Sequence, residues 1–404
     1  MAPEIFASLD IGSTKITCFI AEKTESNLKL IGFSQISSFG IQRGVVVNMQ
    51  ETAQAIEKVI EQAANMAGVD IESVSICVGG ISLESKITDS MLILHNKAIT
   101  SEDVEKLVDL AKAKHVETNK KILHAIPVDY TLDDYKGIKN PLNMVGSKLE
   151  AKINIISAKQ EPLKNIIRAV ELAGFYIDEI IASNVANGYS ALIEDEKQLG
   201  TCLIDVGGFS TDISIYYNGK LILIDSINLG AYHVTSDLAH GLSVSLEDAE
   251  RIKSLEGATS SNLIESGKSI EYVKVGDLKD NVNFVSHSYV CGIIQPRMEE
   301  ILELVKNKIA PYQHIFNNRI VLTGGGSNLK GITDLAQIIF NSSIRVASVN
   351  TLEGTTNISS NPRFITVSGG IIYLSEKHSK QPEYSYKNSK FGKMLFNFKK
   401  SFFK

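Results

Sequence analysis

The chain has 404 residues, of which 44% are hydrophobic, 22% charged and 7% aromatic, with no tryptophan and a formal net charge of −5. At roughly 150 residues per domain this predicts two or three domains with a sizeable core, and the composition excludes a disordered, collagenous or disulfide-stapled chain. There is no global basic field of the kind that draws a protein onto nucleic acid, so no nucleic-acid partner is expected.

The charge is unevenly placed. No acidic residue follows Glu383, while Lys387, Lys390, Lys393, Lys399, Lys400 and Lys404 contribute +6, leaving −11 on the preceding chain. Cys18, Cys77, Cys202 and Cys291 lie far apart in apolar contexts, and neither they nor the eight histidines show metal-ligand spacing. The cysteines therefore read as reduced, buried thiols of a cytosolic protein. No secretory signal pattern opens the chain, and no stretch reaches the roughly 18 apolar residues that span a bilayer.

In chain order, apolar strands at 5–9 and 16–21 flank a polar turn and are followed by a helix at 51–67 and a strand at 74–78. From 83 to 159 the texture changes to a small α+β insertion. Thr100-Ser101-Glu102-Asp103 is a capping-box start for a helix whose apolar face is Val104, Leu107, Val108 and Ala111. Strand-like segments at 122–130 and 149–157 flank a polar turn region, 133–148. A helix at 161–173, a strand at 177–181 and a small-residue helix at 184–192 follow. Then Leu203–Val206, Gly207-Gly208 and Ile213–Tyr217 repeat the opening strand, glycine turn and strand, which predicts an internally duplicated α/β unit. The stretch 375–389 is polar, contains Pro382 and lacks aliphatic residues, as in a flexible linker.

The turns carry the chemistry. The first, Asp10-Ile11-Gly12-Ser13-Thr14-Lys15, combines glycine backbone that can approach an anion, two hydroxyl donors and a lysine. The second, Asp205-Val206-Gly207-Gly208-Phe209-Ser210-Thr211-Asp212, offers the same parts with an aspartate in place of the lysine. Facing each other, they would clamp a polyphosphate, with Asp10 and Asp205 suited to hold hydrated Mg²⁺. Both turns run directly into strands, so neither is a Walker A loop. A third strand, Ile320–Thr323, ends in Gly324-Gly325-Gly326-Ser327-Asn328 before an expected helix at 329–340. Backbone free of side chains there suits a flat base and ribose, beside a helix N-terminus.

The order of these three motifs resembles the two phosphate motifs and the adenosine motif of the actin-like ATPase superfamily, and within it the bacterial cell-division FtsA family. Ile126-Pro127, Asn140-Pro141-Leu142, Val234-Thr235-Ser236-Asp237, Asp248-Ala249-Glu250 with Ile252-Lys253, and Ile294-Gln295-Pro296-Arg297 extend the likeness over nearly the whole chain. The resemblance implies a two-domain, duplicated ribonuclease H-like α/β fold. Residues 1–82, with 160–182 and 365–375, would form the first subdomain and 83–159 the FtsA-type insertion. Residues 183–364 would form the second domain with a partner-binding subdomain, 376–389 a linker and 390–404 an amphipathic membrane helix. It further implies ATP and Mg²⁺ as ligands, with Glu250 and Lys253 at the nucleoside, and polymerisation into protofilaments. Partners would be the C-terminal tail of FtsZ, with Arg297 as a contact, later division proteins and anionic lipids of the inner membrane face at the division site.

The tail bears on that membrane reading independently. At roughly 100° per residue, Phe391, Met394, Leu395, Phe398 and Phe402 fall in one apolar stripe with Lys393, Lys399, Lys400 and Lys404 outside it, as in a helix lying in an anionic membrane surface. The alternative is a helix docked on the protein's own body. Where actin-like enzymes carry an acidic residue or glutamine to position water, this chain reads Ala182-Ser183-Asn184-Val185-Ala186. Slow hydrolysis is therefore expected, with Asp205 or Asp212 in any catalytic role. Two competing readings are a soluble small-molecule kinase of the same superfamily, for which the lysine-phenylalanine tail has no use, and a chaperone-like ATPase, for which too little chain follows residue 375.

Overall fold

Strands Glu4–Ile11 and Lys15–Lys23 form a hairpin that closes at the Ile11–Ile16 pair. Leu28–Ser37 adds antiparallel on one side, while Ser73–Val78 and Tyr176–Ala182 add parallel on the other. The computed structural model describes residues 4–380 except 25–26, 81, 264–268, 278–281, 317, 350–351, 355–357 and 359–360. The sheet's central strands are apolar almost throughout because helices cover both faces. By the two-residue alternation, Ala7, Ile20 and Gly32 face helix Met49–Ala67. Ser8, Phe19 and Phe33 face the C-terminal helix Ile365–Lys380 and the preceding Phe364, whose ring lies 5.6 Å from Phe19 and 5.9 Å from Phe33. Helix Met49–Ala67 starts where the Asn48 side chain caps the Gln50 and Glu51 N–H groups and stops at left-handed Gly68.

The second sheet repeats the first strand for strand. Thr201–Val206 is central, with Thr211–Tyr217 and then Lys220–Ile227 antiparallel on one side, and Arg319–Thr323 and then Ser343–Val346 parallel on the other. Its core is built with helices Ala231–Leu242, Leu246–Glu256, His287–Ile309 and Ile332–Phe340. The duplication expected from the two glycine turns thus extends to the whole strand order.

The insertion is a third, separate sheet in the order Leu83–Ala98, Val145–Lys159, Lys120–Leu132, Tyr135–Ile138, closed over its own core by helix Ser101–Lys114. Thr100 and Asp103 form the expected capping box, and Leu107 and Ala111 are buried. Two features were not legible. Leu83–Ala98 is a 16-residue edge strand with a mixed polar pattern, and the polar region 133–148 contains the short strand Tyr135–Ile138, reached through left-handed Asp133.

Three other expectations change. The strand ending at Thr323 does not run into a helix. Gly325–Asn328 is a 3-10 turn and the helix begins at Ile332, so its N-terminus is not at the glycines. The C-terminal helix continues to Lys380, into the stretch read as linker, because tertiary contacts hold its polar end: Lys23 Nζ donates to Ser375 O at 2.9 Å, Lys377 pairs with Glu179 at 2.5 Å, and His378 meets the Phe6 ring edge-on. Helix Ser183–Ala191 straddles the two halves, with Val185, Ala186 and Ala191 in the first core and Asn184 Nδ2 bonded to Ile213 O and Ser214 Oγ of the second sheet. The remaining linker and the amphipathic segment 390–404 lie outside the described residues.

The C-terminal helix crosses Ser183–Ala191 so closely that a Cβ on Gly369 would collide with Ala186 O, whereas one on Gly292 meets nothing within 4 Å. Gly369→Ala is therefore expected to lower the unfolding free energy by about 1–3 kcal/mol. Gly292→Ala, in a helix interior, should raise it by about 0.5–1 kcal/mol. Urea titrations of both variants check the contrast, and equal small effects would contradict the packing.

Candidate functional site

Both hairpins and the Arg319–Thr323 strand end at one place, a cleft of about 1650 Å³ between the two halves. The hairpin turns touch across it. A Cβ on Gly208 would lie 2.5 Å from Thr14 Cγ2, so only glycine permits this approach. Ser13 Oγ accepts from Gly44 N at 2.6 Å, which fixes the first turn against residues 38–45. Gly324 adopts φ +84° because the chain must turn directly over Asp205, where a Cβ would stand 2.5 Å from Val206 O.

Three carboxylates converge here. Burial pushes Asp10 up to about 6, with Lys15 pulling the other way and Asp205 adding repulsion. Burial also raises Asp205, opposed by the 2.7 Å hydrogen bond from Asn187 Nδ2 and by Lys15. Asp212, the cross-strand partner of Asp205, is pushed up to about 7 by burial and then by Asp205, although Gly80 N donates to its Oδ2 at 3.0 Å. Burial brings Lys15 down to about 8 against the pull of Asp10. Its ammonium donates to Arg363 O at 2.7 Å and stands 5.5 Å from the Phe364 ring. On the far wall, Lys253 Nζ donates to Glu250 Oε2 at 2.6 Å and to Thr235 Oγ1 at 2.7 Å, and Asn328 Nδ2 donates to Asn361 Oδ1 at 2.9 Å. Burial acts to raise Glu250, but Lys253 and the hydrogen bonds outweigh it and hold Glu250 below its ordinary range. The arrangement is a cation-lined pocket around a carboxylate floor, with glycine backbone on three sides.

The family model described as "Cell division protein FtsA" matches residues 202–369, and "SHS2 domain inserted in FTSA" matches 80–157. The cell division protein FtsA of Rhizobium meliloti (strain 1021) is 33% identical over 383 residues, which cover 91% of this chain and 87% of the relative. That of Pseudomonas aeruginosa is 31% identical over 379 residues (93% and 90%), and that of Escherichia coli (strain K12) 30% over 385 residues (93% and 91%). The chain belongs to the FtsA family. Solved structures at 14% identity place the fold among the actin-like ones. A PilM–PilN type IV pilus biogenesis complex matches with TM-score 0.67 over 91% of this chain and 98% of that one. MreB 5 of Spiroplasma citri bound to AMPPNP matches with TM-score 0.54 over 93% and 98%.

In this FtsA-family chain, the cleft brings together Asp10, Gly12, Ser13, Thr14, Lys15, Asp205, Gly207, Gly208, Ser210, Asp212, Glu250, Lys253, Gly324, Gly325, Gly326 and Asn328, all expected from sequence. Thr211 is a correction. It is fully buried, and its hydroxyl donates to Leu229 O at 2.8 Å, tying its strand to the segment before Ala231–Leu242 instead of facing the cleft. Arg297 is held internally, by Asp237 at 2.6 and 3.2 Å and by Glu300. Phe391, Lys393, Met394, Leu395, Phe398, Lys399, Lys400 and Phe402 lie outside the described residues. Sequence reasoning missed Gly79, Gly80, Asn187, Arg363 and Thr366. Asn187 stands one residue past the stretch searched for a water-positioning group, and Arg363 follows the Asn361-Pro362 turn without any motif to mark it.

Asp212 holds its proton to about pH 7 in the folded chain but loses it near 3.8 when unfolded. Between those values the folded state binds more protons, so the contribution of this group to stability falls as pH rises through the window. Asp212→Asn removes the penalty. The nucleotide-free variant is expected to melt on the order of 2–4 °C above wild type at pH 8 and to show no such gain at pH 4. Equal gains at both values in a thermal-shift assay would assign the effect to packing.

Proposed function

We propose that this division protein binds Mg-ATP in the cleft and polymerises as protofilaments on the anionic inner face of the cytoplasmic membrane at the division site. There it would anchor FtsZ through that protein's C-terminal tail and help recruit later division proteins. The observation that carries the reading is the meeting of two glycine hairpin turns over a carboxylate floor beside Lys15, in a chain of the FtsA family.

The donor set fits the ligand. Asp10 and Asp205 are hard oxygen donors at strand ends, suited to hold Mg²⁺ through its waters, and the ion when bound would neutralise phosphate charge. Ser13, Thr14 and Ser210 offer hydroxyls, Lys15 a cation, and Gly12, Gly207 and Gly208 unobstructed backbone for the phosphates. Glu250 and Lys253 would bond the ribose, and Gly324, Gly325, Gly326 and Asn328 would receive the nucleoside. Asp212, with its raised pKa, is the group placed to accept a proton from water, with Asp205 beside it. Turnover is nevertheless slow in this reading, because the amides of Asn184 and Asn187, before the second glycine turn, are already bonded within the protein. ATP acts chiefly as an assembly ligand. Arg297 would meet a partner carboxylate only by exchanging Asp237 for it.

No helix among the described residues is long and apolar enough to cross a membrane. The lysine-phenylalanine segment 390–404 is the part of the sequence suited to attach the chain to anionic lipid. Flotation with anionic liposomes and Mg-ATP, followed by negative-stain imaging, should recover the full chain with lipid as rows of protofilaments and leave a chain ending at Lys387 in the soluble fraction. Recovery of both forms in the soluble fraction would overturn the membrane reading. ATP turnover is expected below about 1 s⁻¹, and a faster rate would refute the scaffold role for ATP.

A further inference from the structure

Asn187, only 1% exposed, is bonded in two directions. Its Nδ2 donates to Asp205 Oδ2 at 2.7 Å, and its Oδ1 accepts from Thr366 Oγ1 at 2.8 Å. The amide is thereby fixed, since turning it over would set its oxygen against the carboxylate. Thr366 is the second residue of helix Ile365–Lys380. The turn before that helix is bonded by two of the three glycine turns of the cleft. Lys15 Nζ donates to Arg363 O at 2.7 Å, Thr323 Oγ1 and Gly324 N donate to Pro362 O at 3.1 and 3.2 Å, and Asn328 Nδ2 reaches Asn361 Oδ1. Ser190 Oγ, one turn along the helix that carries Asn187, donates to Ile365 O at 2.6 Å. The two helices then cross nearly backbone to backbone at Gly369 and Ala186, leaving no soft side chain to absorb a shift.

We propose that Asn187 is the positioning residue of Asp205 and that, through Thr366, it couples the state of the nucleotide site to the C-terminal helix. The inference rests on the Mg-ATP reading of the cleft. An amide bonded at both ends lets neither neighbour move alone, so the orientation of the Asp205 carboxylate and the position of Thr366 are set together. A ligand that selects one carboxylate orientation therefore also selects one position for the start of the helix, and occupancy restricts it.

The test uses the full chain and two separate readouts: Mg²⁺-dependent binding of a fluorescent ATP analogue, and hydrogen exchange of peptides covering 365–380 with and without Mg-ATP. Wild type is expected to bind and to gain protection at the start of the helix. Asn187→Ala should lose about 10–100-fold in Mg²⁺-dependent affinity while binding measured in EDTA changes little, a split that a merely structural role would not give. Thr366→Val keeps the shape and the Asn187–Asp205 bond. At a concentration of Mg-ATP that saturates the variant, it should lose the gain in protection. It also decides the matter should Asn187→Ala fail to fold. Wild-type protection in Thr366→Val, or equal losses with and without Mg²⁺ in Asn187→Ala, would overturn the coupling and leave the nucleotide reading standing. Absence of binding in wild type would overturn both.

Discussion

Asp10, Asp205 and Asp212 are brought to one spot at the boundary between two sheets, with Lys15 acting on Asp10 and Asp205 and Arg363 beside Lys15. Burial is the largest cause of the raised carboxylates and of the lowered lysine, and repulsion from Asp205 adds to it at Asp10 and Asp212. Natural folds tolerate electrostatic strain of this kind where a ligand relieves it. Much of the surrounding architecture follows from holding these groups in place: strands that end together, a glycine at 208 that lets the second turn close on Thr14, and an amide behind Asp205.

Two copies of one sheet topology solve the placement problem. In each half the first strand is central, its hairpin partner lies on one side and a parallel strand on the other. The strand ends that bear Asp10 and Asp205 are therefore flanked alike, and facing the halves toward each other converts a weak turn in each into one enclosed site. The junction is closed by small residues. Gly369 lets the crossing helices meet at the Ala186 carbonyl, and Gly188 makes room for the Tyr216 ring of the second sheet. The insertion stands apart from this scheme, with its own core of Leu94, Leu107, Leu149, Ile153 and neighbours, which is why it can occupy residues 83–159 without disturbing the strand order around it.

Fold and family answer different questions here. Structures that share 14% of residues with this chain cover more than nine-tenths of it, so the actin-like topology survives almost complete replacement of sequence. Relatives near 30% identity are division proteins, and they share the insertion and the segments around residues 202–369 that the family models recognise. Function in such a fold lies in the site and in what is attached to it.

The duplication, the three glycine turns, the insertion with its capped helix, and the glycines, hydroxyls and charged groups of those turns were legible in the sequence. Each of these is written in local chemistry: apolar strand, turn composition, helix period. Tertiary structure alone decided the rest. Thr211 belongs to a motif by spacing, yet strand alternation points its hydroxyl away from the cleft and into Leu229 O. The polar residues 376–380 read as linker, yet Lys23, Glu179 and Phe6, distant in sequence, hold them helical. Asn187, Arg363 and Thr366 carry no motif, because what they do depends on partners 18 to 348 residues away. Local periodicity fixes which residues form elements. Only the packing of one half against the other fixes which of them meet.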